Sequence, residues 1–71
     1  MNLNEAVDKA YQHLSLKELA KAPVAALSGV SDADAELLYQ AFRIKTIEDL
    51  ARLKYVRWAQ AIVDLGDAEG E

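Results

Sequence analysis

The punctuation around a single glycine constrains this fold most. Leu27-Ser28-Gly29-Val30-Ser31 is followed by Ala35 and Leu38, and then by Ile44-Lys45-Thr46-Ile47. Glycine tolerates the left-handed backbone that closes a helix. Serine and threonine side chains accept hydrogen bonds from the amides that open the next one. The stretch therefore predicts a helix, a tight turn at Gly29, Val30 and Ser31, a second helix, and a hooked turn into a third.

The rest of the chain is marked out in the same way. Leu3, Ala6, Val7, Ala10, Tyr11 and Leu14 recur at helical spacing and predict an amphipathic helix over 3–14. Ser15-Leu16-Lys17-Glu18 reads as a capping box that starts a short helix with Leu16, Leu19 and Ala20 inward. Pro23 suits the first turn of a third short helix ending near Leu27. Ser31 opens a fourth, with Ala35, Leu38, Tyr39, Ala41 and Phe42 as its buried face, and Asp32 and Asp34 complement its dipole. Thr46 caps a fifth with Ile47 and Leu50 inward. The last helix spans about 54–65 and is expected to bury Tyr55, Trp58, Ala59, Ile62 and Leu65 before Gly66 stops it. The expected fold is all-α: a compact bundle of five to six short helices in one domain over 1–66. Residues 67–71 form an acidic tail expected to be disordered.

Size and charge narrow the chemistry. A chain of 71 residues buries only about 60% of its unfolded surface. With no cysteine, neither a disulfide nor a thiolate metal site can reinforce it. No leader pattern or long apolar run is present, so the expectation is a cytoplasmic protein without a membrane segment. A net charge of −4 opposes a general affinity for nucleic acid, which is built mainly on Lys and Arg contacts. Yet Arg43, Lys45, Arg52, Lys54 and Arg57 fall within one short segment. That cluster reads either as a solvated face or as a docking patch for an acidic partner or a nucleic-acid backbone.

Leu27-x-Gly29-Val30-Ser31-x-x-x-Ala35-x-x-Leu38 resembles the helix-hairpin-helix motif, and Phe42 to Leu50 resembles the segment that follows it in such SAM-like domains. The C-terminal domain of the bacterial RNA polymerase alpha subunit is similar in this respect. The resemblance covers roughly residues 15–65 and implies a small helical domain. In DNA-binding members, the hairpin amides and the following helix start hold a phosphate, the logic of anion binding at a helix N-terminus. Here the motif is degenerate. Gly29 matches the first glycine, Ser31 replaces the second, and Arg43 stands where a glycine precedes the hook isoleucine. Asp32 and Asp34 would repel a phosphate at that point. The turn therefore reads as an interhelical joint first and an anion site second.

No catalytic, cofactor or metal site is expected. His13 is the only histidine and has no evident partner, and Ser15, Ser28 and Ser31 lack an activating base at recognisable spacing. Asp32, Asp34 and Glu36 lack a calcium-loop pattern. The helical stripes leave Leu37, Val56 and Val63 unused, and these are the candidate partner contacts. The functional expectation is a non-catalytic protein-interaction or adaptor module, its partner another protein or a second copy of itself. The alternative is weak nucleic-acid binding through the basic residues of 43–57.

Overall fold

The structure, a computed structural model, describes residues 2–70. Short polar side chains start four helices. Asn2 Oδ1 accepts from the Asn4 amide at 2.9 Å and opens α1 (Leu3–Ala6). Ser15 and Glu18 form a reciprocal capping box that opens α2 (Leu16–Ala20), as the sequence predicts. Ser31 with Asp34 opens α3 (Asp32–Phe42), and Thr46 with Asp49 opens α4 (Ile47–Arg52). The fifth helix, α5 (Lys54–Glu69), starts at Leu53 with no side-chain cap. Two 3-10 turns, Lys9–Tyr11 and Val24–Ala26, complete an all-α fold with no strand among the described residues.

The middle of the chain is the centre of the core. Residues 22–28 run through the body and hydrogen-bond on both sides. The Asp8 amide donates to the Ala26 carbonyl and the Ser28 amide to that of Ala6, each at 2.8 Å. Across from them, the Val24 amide donates to Lys45 at 2.9 Å and the Ile47 amide to Ala22 at 3.1 Å. These bonds accompany the isolated bridges Val7–Leu27 and Pro23–Thr46. They satisfy backbone groups that would otherwise be buried unpaired. Val7, Leu19, Ala22, Val24, Ala26 and Ile44 form the buried set around them.

Three local expectations are corrected by this arrangement. The helix expected over 3–14 breaks at Val7, whose extended backbone lies against Leu27. Tertiary hydrogen bonding outweighs the small preference for continuing a helix. The Gln12 side chain donates to the carbonyls of Asn4 and Val7, which the break leaves without helical partners. The helix expected after Pro23 is a 3-10 turn, because its residues are committed to both neighbouring segments. The tail expected to be disordered is helical instead: α5 runs through Gly66 to Glu69 and stops at Gly70, whose φ is +69°. Glu71 lies outside the described residues.

A single residue, Leu53, separates α4 from α5 and serves as the cap of both. Antiparallel helix pairs normally need about two to eight connecting residues. One residue changes the chain's direction without reversing it, so α5 projects from the body. The molecule measures 42 × 29 × 20 Å, and its radius of gyration is 13.9 Å. A compact chain of this length would have about 11 Å.

Candidate interaction surface

The stripe expected to be core is on the outside. Tyr55 is 52% exposed, Trp58 58%, Ile62 70% and Leu65 69%, and Ala59 is exposed with them. Val56, one of the positions left unused by the sequence reading, is the one residue of α5 that is half-buried. Helical geometry explains the reversal: Val56 lies about 140° round the helix from the centre of the stripe. The side of α5 that meets the body thus faces away from its own apolar seam. Val63 and Leu37, the other two candidate contacts, are exposed, Leu37 on α3 and Val63 on α5. Val56 and Val63, seven residues apart, lie on one side of α5, and Leu37 belongs to a different helix.

The seam is anchored by an aromatic cluster at the α3–α5 junction. The Phe42 and Tyr55 rings lie 6.1 Å apart, and Tyr55 and Trp58 meet edge to face at 5.8 Å. Phe42, expected to be buried, is itself exposed. A continuous apolar strip therefore runs from Phe42 through Tyr55 and Trp58 to Ile62 and Leu65. Patches of this kind mark contact surfaces. Helical period alone predicts these side chains in the core, because it marks an apolar stripe without saying what covers it. Their spacing at 55, 58, 62 and 65 matches the narrow heptad stripe found where two helices pair, a pattern present in the sequence.

The five basic residues of 43–57 are dispersed over the structure. Arg43 and Lys45 lie over the Tyr39 ring, at 5.1 and 5.6 Å from its centre. Lys54 covers Tyr55 and Trp58 at 5.3 and 5.5 Å. Arg52 Nε donates to Glu48 at 2.7 Å, and Lys21 Nζ holds the other oxygen of the same carboxylate at 3.1 Å. These two partners, Lys21 first, hold the Glu48 carboxyl below the usual range. Arg57 joins Arg52, Lys21 and Lys17 around an open groove of about 590 Å³ floored by Ala20, Ile47 and Ala51. Lys17 and Lys21 lie far from the 43–57 segment in sequence, so only the packing of α2 against α4 reveals them as part of this groove.

At Gly29, Val30 and Ser31 the backbone turns sharply, with Gly29 at a φ of +93° and the Val30 amide donating to Leu27. The Ser31 amide donates to Asp34 Oδ2 at 3.2 Å, while the Asp34 amide donates to Ser31 Oγ at 3.0 Å. Two of the amides that could face an anion are thus already engaged by the chain's own oxygens. Among the described residues, no three His, Cys, Asp or Glu side chains come together to hold a metal ion. No helix among them is long and apolar enough to cross a membrane. Set against family models, curated proteins and solved structures, the chain gives no significant match.

Proposed function

We propose that this chain is a small, non-catalytic, protein-interaction module of helix-hairpin-helix-like fold, with α5 as its docking element. The observation that carries this reading is the outward seam of α5 together with the surface it leaves uncovered. The accessible area is 5599 Å², whereas a folded monomer of this mass exposes about 4,400 Å². The surplus of about 1,200 Å² compares with about 800 Å² per partner in a standard interface. A photo-crosslinking residue at Ile62, introduced in the native host, is expected to capture protein. The same residue at Asp32, on the capped start of α3, is expected to capture none. If Ile62 yields no protein adduct, the chain itself included, the reading fails.

A nucleic-acid role is the second reading and is supported by the four-cation groove of Lys17, Lys21, Arg52 and Arg57. It would show as a salt-dependent affinity for duplex DNA that Arg52→Glu with Arg57→Glu abolishes. Against it stand the net charge of −4 and the engagement of Arg52 and Lys21 by Glu48.

A further inference from the structure

We propose that the partner of α5 is α5 of a second copy, packed antiparallel in a two-fold dimer. This inference rests on the interaction-module reading and names its occupant. Four features of α5 point to it.

The first is spacing. Tyr55, Trp58, Ile62 and Leu65 follow the strict three-four-three repeat of a paired-helix seam, and all four are more than half exposed. The second is volume. An antiparallel pair in register stacks Tyr55 on Leu65 of the other copy and Trp58 on its Ile62, so every layer holds one aromatic and one aliphatic side chain. A parallel pair would stack Tyr on Tyr and Trp on Trp at one end and leave only aliphatics at the other, an uneven fit for close packing.

Charge is the third feature. Lys54 flanks the seam at the start of α5, over the Tyr55 and Trp58 rings, whereas Glu69 lies in line with it at the other end. Antiparallel pairing brings Lys54 of each copy beside the Glu69 end of the other and opposes the helix dipoles favourably. Parallel pairing would set like against like. The fourth is closeness. Ala59, Ala61, Gly66 and Ala68 flank the seam, so of the flanking side chains only Lys54, at its first turn, is long. The surplus surface of the isolated chain is also of the size that such a symmetric interface removes.

The test uses the purified full chain. Sedimentation over about 1 µM to 1 mM is expected to show a species of twice the 7.8 kDa chain mass. Ile62→Glu is expected to weaken association about a hundredfold or more, because the substitution acts twice in a two-fold dimer. Its helical circular dichroism should stay unchanged, since Ile62 is 70% exposed in the isolated chain. Orientation is read separately, which is straightforward in a chain without cysteine. Tyr55→Cys and Leu65→Cys chains, mixed and oxidised, should form the mixed disulfide, and neither should link to itself. Self-linkage of Tyr55→Cys chains would overturn the antiparallel arrangement. A monomer across the whole range would overturn the dimer. In that case, capture of a different protein at Ile62 would leave the interaction-module reading standing, and capture of nothing would remove both.

Discussion

Arg43 occupies a backbone conformation that this chain otherwise gives to glycine. Its φ and ψ of 60° and 30° lie in the left-handed region, and it closes α3. For a residue with a Cβ, that conformation costs roughly 1–2 kcal/mol. Partial compensation comes from the Arg43 amide and guanidinium, which both donate to the Tyr39 carbonyl, at 2.8 and 3.3 Å. A cation at a helix C-terminus is also favourable. Gly29 is the converse case. Nothing lies within 4 Å of where its Cβ would stand, so any penalty for a side chain there comes from the backbone alone. Gly29→Ala should therefore lower stability by about 1–2 kcal/mol, whereas Arg43→Gly should raise it by up to about 1 kcal/mol. Urea midpoints for the two variants would check the opposite signs. Equal shifts would mean that the left-handed geometry is not what limits either site.

At the level of elements, the caps were the most legible feature in the sequence and the packing partners the least. Ser15 with Glu18, Ser31 and Thr46 start helices where their spacing predicts, because capping is local chemistry within four residues. The break at Val7 was not legible, since its cause lies twenty residues away at Leu27. The outward face of α5 is illegible for a related reason: the period shows that a helix has an apolar side but not where that side points. Leu16 shows the same gap, expected inward but exposed. The caps also carry a pH dependence. Backbone hydrogen bonds from Lys45, then Thr46, hold the Asp49 carboxyl below its ordinary range, and the Ser15 amide does the same for Glu18. A group depressed on folding contributes stability above its unfolded value and loses it as pH falls through the folded one. The starts of α2 and α4 should therefore loosen together as pH drops below about 4. The amide shifts of Ser15, Lys45 and Thr46 should report the loss, and Asp49→Asn should flatten the response at the latter two.

At the level of the whole molecule, body and projecting helix are separable in energy. Among the described residues, every buried hydrophobic one lies from Val7 to Ile44, and none belongs to α5. A chain ending at Leu53 should therefore keep the dispersed methyl signals of the buried Val24 and Ile44 and its sharp amide spectrum. It should also lose whatever association the complete chain shows. Collapse of that spectrum would mean that the contact of Val56 with the body is essential to the fold. The two-sided hydrogen bonding of residues 22–28 has one more consequence, which concerns synthesis. The Val24 amide cannot find its acceptor until Lys45 has left the ribosome, but by then all six buried side chains are already outside. The nascent body can thus lock shut before Tyr55 and Trp58 emerge. The sticky segment follows the core in order of synthesis, onto a scaffold that offers it no internal seat.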